Sequence, residues 1–184
     1  MGRSSRNTQD SKSEILKSAL EVIRRSGAPA LTIDAVAEES GFSKGGVLYN
    51  FPTKDALITG MVEYLAKQFH GEVETARAEH LASKCPTLSA MIDVTEQWLR
   101  ERQDVARAML ATKADKPDLS EPFKEVTTSL KKAVEAETDQ RGKAWVIWSS
   151  LEGMHFSDAH CASVFTEEDL AAAFRELRRS VEEL

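Results

Sequence analysis

Residues 31–58 read LTIDAVAEESGFSKGGVLYNFPTKDALI, and the fold is decided by how the short blocks in this stretch are joined. Thr32 is a favoured helix N-cap residue, followed by Asp34 in the first turn and by Ile33, Val36 and Ala37 on one helical face. Gly41 ends that block, Ser43 can cap a second short helix that stops before Pro52, and Thr53 can cap a third containing Leu57. Two short helices at a tight turn form a helix-turn-helix only if three steric needs are met. Ala37 is small enough for close approach, Gly41 tolerates positive φ in the turn, and Val47 anchors the second helix, with Phe42 filling the gap beneath.

The second helix of the pair, S43-K-G-G-V-L-Y-N50, presents a cation and two glycines at its N-terminal end, where backbone N–H groups and the helix dipole suit phosphate. Two glycines in a short helix cost about 1 kcal/mol each relative to alanine. That cost is sensible where the backbone must approach a DNA strand, and equally at home in a plain interhelical loop. Tyr49 and Asn50 can reach base edges or phosphates, since Asn pairs bidentately with adenine and a Tyr hydroxyl donates to phosphate; Lys54 meets the flanking backbone.

On these residues the stretch resembles the DNA-binding domain of the TetR family of bacterial transcriptional regulators: Thr32, Val36, Ala37, Gly41, Ser43, Gly45, Val47, Phe51, Lys54 and Leu57 match its pattern identically or conservatively. The resemblance implies Thr32, Ser43 and Lys54 as phosphate contacts and residues 44–50, including Lys44, Gly45, Gly46, Leu48, Tyr49 and Asn50, as the reader in a major groove. The family's usual Tyr position holds Leu48 here, and Tyr49 follows one place later, about 100° further round a helix. Leu48 then either touches a thymine methyl or packs inward, and Tyr49 contacts either a base or a phosphate.

The rest of the chain constrains this reading. It has 184 residues, with 41% hydrophobic and 29% charged, as expected of a globular protein with its own core. Its longest wholly apolar run, residues 144–148, is too short to span a bilayer, and the polar N-terminus has no secretory signal or myristoylation motif, so a cytoplasmic protein without a membrane partner is expected. The two cysteines, Cys85 and Cys161, imply no disulfide framework. The net charge of −6 argues against nucleic acid until it is divided: residues 1–54 hold eight basic and six acidic side chains, and the remainder sixteen and twenty-four. Arg3 and Arg6 lie in a polar N-terminal arm.

Apolar residues at helical spacing dominate throughout and no alternating strand pattern occurs, so the class is all-α. The expected organisation is an N-terminal three-helix DNA-binding domain over 1–54, a fourth helix from about residue 54 linking the two parts, and a C-terminal helical bundle over 55–184. Helices are expected near 105–110, 143–162 and 167–183, among others. The family resemblance implies that this bundle encloses a ligand and that its last two helices dimerise. Met91, Trp98, Met109, Phe123, Trp145 and Trp148 suit an adaptable pocket for a small-molecule effector, and suit an ordinary core equally well. Leu151, Leu170, Phe174, Leu177 and Val181 are the candidate dimer contacts, because a stripe at the chain end has little sequence left to cover it; packing within the subunit is the alternative. His155, Asp158, His160 and Cys161 are too sparse for a closed metal site, and no nucleophile elbow, HExxH or Walker sequence occurs, so no metal, cofactor or enzyme activity is expected. The sequence reads as a ligand-responsive repressor, a homodimer on a palindromic double-stranded operator; the rivals are a small helical enzyme and an interaction module that never meets DNA.

Overall fold

The computed structural model describes residues 8–101, 121–160 and 162–184. Among these residues the chain is all-helical: α1 (Thr8–Ser26), α2 (Ile33–Ser40), α3 (Lys44–Asn50), α4 (Lys54–Glu79), α5 (Pro86–Glu101), α6 (Glu121–Glu137), α7 (Arg141–Ala159) and α8 (Glu167–Glu182). A 3-10 turn at Ala28–Ala30 joins α1 to α2. The helix expected near 105–110 with Met109, the Arg3/Arg6 arm and Cys161 lie outside the described residues.

The first three helices form a head around one apolar cluster. Ile15, Ala19 and Val22 of α1, Val36 of α2 and Val47 of α3 meet Phe51 and the Leu57, Ile58, Met61 and Val62 face of α4. Each fully buried side chain of this kind contributes about 1.5–3 kcal/mol. The cluster reaches Val62, so the first half of α4 packs with the head. Gly60 explains how closely. A Cβ on it would stand 2.7 Å from Phe51 Cε1 and 3.3 Å from Leu16 Cδ2, so the glycine lets the Phe51 ring lie directly on α4.

The second half of α4, through Phe69 and Val73, enters a separate cluster with α5, α6, α7 and α8. α5 touches all four of these helices and buries Leu88, Ala90, Met91, Ile92, Val94 and Leu99, most of its circumference, as a central helix must. Glu137 at the end of α6 fastens its near end. Its carboxylate accepts from Thr87 N at 2.9 Å, Thr87 Oγ1 at 2.8 Å and Arg77 Nη2 at 2.8 Å, satisfying a donor in the first turn of α5. Arg178 ties α8 to α5 by donating from Nε at 3.0 Å and Nη2 at 2.7 Å to Asp93 Oδ1. Phe123, in the first turn of α6, packs against both clusters and so joins head to body.

The last helix departs from expectation. Phe174 and Val181 of α8 and Leu151 of α7 are 2%, 1% and 2% exposed within the single chain, and Leu170 and Leu177 pack against the same core. The stripe proposed for a dimer contact is therefore the inward face of α8, covered by α5 and α7, because an amphipathic helix closing a bundle turns its apolar side to its own neighbours first.

Candidate nucleic-acid interface

The turn between α2 and α3 is built as its residue types require. Gly41 adopts φ 68, ψ 9, the left-handed conformation that ends α2, and the Ser40 hydroxyl donates to Val36 O at 2.6 Å. Val47 is wholly buried and fixes the rotation of α3, so Tyr49, two residues on, must project away from the head; it is 81% exposed. Leu48, between them, is half-buried.

Three hydroxyls cap the helices of this head. Thr32 Oγ1 accepts from Ala35 N at 3.1 Å, Ser43 Oγ from Gly46 N at 3.1 Å and Thr53 Oγ1 from Ala56 N at 3.0 Å, capping α2, α3 and α4 in turn. All three are exposed, and capping occupies only an oxygen lone pair, which leaves each O–H to donate to an outside acceptor. Thr53 was legible in the sequence as a cap, but its equivalence to the other two as a donor emerges only from the geometry. Lys54 is exposed and has no ion-pair partner among the described residues. Lys44 is also exposed, and its Nζ lies 2.9 Å from Asp34 Oδ1.

The two glycines differ. A Cβ on Gly45 would meet nothing nearer than Ser43 Oγ at 4.0 Å, so the fold itself does not need glycine there; a Cβ on Gly46 would stand 3.3 Å from the same oxygen and 3.6 Å from Phe42 Cδ1. Asn50 turns back on its own helix: its Nδ2 donates to Gly46 O, one turn earlier in α3, at 2.9 Å, and its Oδ1 is buried with no partner.

In the body, the aromatic residues do not converge on one site. Trp145 and Trp148 stand edge to face at 6.1 Å and line a cleft of about 270 Å³ with Thr127, Thr128, Lys131, Ser149 and Glu152 between α6 and α7. Trp148 Nε1 donates to Glu152 Oε1 at 2.8 Å, and Lys131 Nζ sits 5.2 Å from the Trp145 ring centre. Met91, 4% exposed, is core, while Trp98 and Phe123 pack on the bundle outside that cleft, Trp98 edge-on to Phe69 at 5.2 Å. His155 also meets the Phe69 ring, and burial holds its imidazole down to about 4. Burial pushes the Cys85 thiol up to about 12, which leaves it protonated and unreactive. Among the described residues no three His, Cys, Asp or Glu side chains group to hold a metal, and no helix is long and apolar enough to cross a membrane.

A helix-turn-helix head on a separate helical body defines a two-domain regulator. A family model described as bacterial regulatory proteins, tetR family, matches residues 15–61, and one described as tetracyclin repressor-like, C-terminal domain, matches residues 86–182. The chain belongs to the TetR family. It is 29% identical over 97 residues to YerO of Bacillus subtilis (strain 168), an uncharacterised HTH-type transcriptional regulator, a match covering 52% of this chain and 33% of that protein. Two solved structures share the fold. A TetR transcription regulator from Haloarcula marismortui ATCC 43049 superposes with a TM-score of 0.72 at 20% identity, covering 96% of this chain and 98% of that one. The multidrug binding protein EbrR in complex with imidazole superposes at 0.64 and 19% identity, covering 91% and 89%.

Proposed function

We propose that the protein is a DNA-binding transcriptional regulator, a ligand-responsive repressor that grips a palindromic operator as a homodimer in the cytoplasm and has no catalytic activity. One observation carries the reading: Tyr49 is 81% exposed on α3, in a head whose helices start at the exposed capping hydroxyls of Thr32, Ser43 and Thr53. In this arrangement Tyr49 enters the major groove, the hydroxyls and Lys54 hold the phosphates on either side, and Gly45 admits the DNA backbone where a Cβ would keep it away. One head reads few base pairs, so two heads bind half-sites about 34 Å apart or a multiple of that.

The dimer surface we assign is the outward face of α7, where Val146 and Phe156 are 67% and 64% exposed, in place of the buried α8 stripe. The effector is assigned to the Trp145/Trp148 cleft between α6 and α7, whose aromatic walls suit a small planar compound. An effector favouring one spacing of the heads lowers operator affinity by its differential binding to the two states.

The test is fluorescence anisotropy at fixed salt with two duplexes, one from the region upstream of the protein's own coding sequence and one scrambled. Wild type should prefer the first, Tyr49→Ala should lose most of that preference, and Asn50→Ala should keep it. Lys54→Ala should weaken binding to both and flatten the salt slope by about 0.9. Equal affinity of the wild type for the two duplexes would overturn the reading.

A further inference from the structure

Three of the six basic side chains described in residues 8–54 are paired within the head. Arg24 pairs with Glu21, Arg25 Nη1 lies 2.9 Å from Glu39 Oε2, and Lys44 Nζ lies 2.9 and 3.0 Å from the two oxygens of Asp34. The third pair differs in position. Lys44 opens α3, the reading helix, directly after the Ser43 cap, while Asp34 sits in the first turn of α2 after the Thr32 cap, so the pair joins two of the helix starts assigned to phosphate. Both partners are exposed, at 60% and 71%, so the pair is solvated and weak enough to exchange.

We propose that Asp34 sets operator specificity by competing with DNA phosphate for Lys44, an inference that rests on the reading of α3 as the DNA-facing helix. A phosphate oxygen presents Lys44 with the same charge and hydrogen-bond geometry as the Asp34 carboxylate. On arbitrary DNA the head docks loosely, no phosphate is held at the position Lys44 needs, and the lysine stays with Asp34. On the operator, Tyr49 in the groove and the Thr32 and Ser43 hydroxyls fix the register, and a phosphate held there displaces the carboxylate. Non-specific binding is electrostatic almost throughout, so withholding one cation from it raises the ratio of specific to non-specific affinity.

The experiment is a double-mutant cycle of Asp34→Asn and Lys44→Gln, read by anisotropy across a salt series. The probes are the tightest duplex the wild-type protein selects from a random-sequence pool and a scrambled duplex of the same composition; circular dichroism checks that each variant is folded. Asp34→Asn should bind the scrambled duplex about three- to fivefold tighter, with a salt slope steeper by about 0.9, and the selected duplex with an unchanged slope. In the Lys44→Gln background Asp34→Asn should change neither. An equal gain in that background would mean that Asp34 merely repels DNA, and an unchanged scrambled-duplex slope in Asp34→Asn would mean that it does not hold Lys44; either overturns the proposal. If Lys44→Gln alone leaves both affinities intact, Lys44 contacts no phosphate and the proposal falls while the helix-turn-helix reading stands. If no duplex is enriched from the pool, both fall.

Discussion

Gly45 and Gly60 look alike in the sequence, each a glycine inside a helix, yet the fold gives them opposite meanings. At Gly60 a Cβ would collide with the Phe51 ring at 2.7 Å. Gly60→Ala should therefore lower the melting temperature despite alanine's better helix propensity, because overpacking costs about 1–3 kcal/mol against a gain of about 1. It should also weaken DNA binding, since Phe51 immediately follows the reading helix. Gly45 has open space, so Gly45→Ala should raise the melting temperature, by up to about 1 kcal/mol of stability, while reducing affinity for DNA. Thermal unfolding and anisotropy on the two variants separate these outcomes; a stabilised Gly60→Ala would show that Phe51 gives way freely. Asn50 reads in the sequence as a contact to base edges or phosphates. A short polar side chain at a helix end can face a ligand or cap its own backbone, and only the rotation of α3 fixed by buried Val47 decides between them.

Among the elements, α7 carries the clearest titration. His155 meets Phe69 across the α4–α7 contact, and burial holds its imidazole at about 4 against an ordinary 6.5. Below about pH 6.5 the unfolded chain takes up this proton while the folded chain refuses it until about pH 4, so stability falls as pH drops through that window, by at most about 3 kcal/mol. Urea midpoints at pH 7 and pH 5 should differ less in His155→Phe than in the wild type. The same slope in both would place the acid sensitivity elsewhere. The helix near 143–162 was legible from Trp145, Ile147, Trp148, Leu151 and Met154, of which Ile147, Trp148 and Leu151 are buried. Which aromatics would meet was not, because Trp145 and Trp148 face α6 whereas Trp98 faces α4, and periodicity records a face without naming its neighbour.

For the whole molecule, the decisive question is which surface is left to pair two copies. Phe174→Asp would place a charge inside the bundle and should unfold the body rather than release a monomer, since Phe174 is 2% exposed. Val146→Glu with Phe156→Glu alters only exposed side chains. The pair should yield a folded monomer by light scattering with a nearly unchanged melting temperature, and a persistent dimer would move the interface off α7. Phe123, packed against both clusters, ties the body to the head.

The sequence by itself determined the all-helical class, the caps at Thr32, Ser43 and Thr53, the left-handed turn at Gly41 and the buried anchor Val47, because each depends on a local need of the backbone or on helical period. Tertiary structure decided what depends on a partner distant in the chain: that α4 belongs half to the head, that the α8 stripe faces inward, that Glu137 caps α5, and that Lys44 is held by Asp34. A residue's type limits the bonds it can make, while the packing of helices selects which of them is within reach.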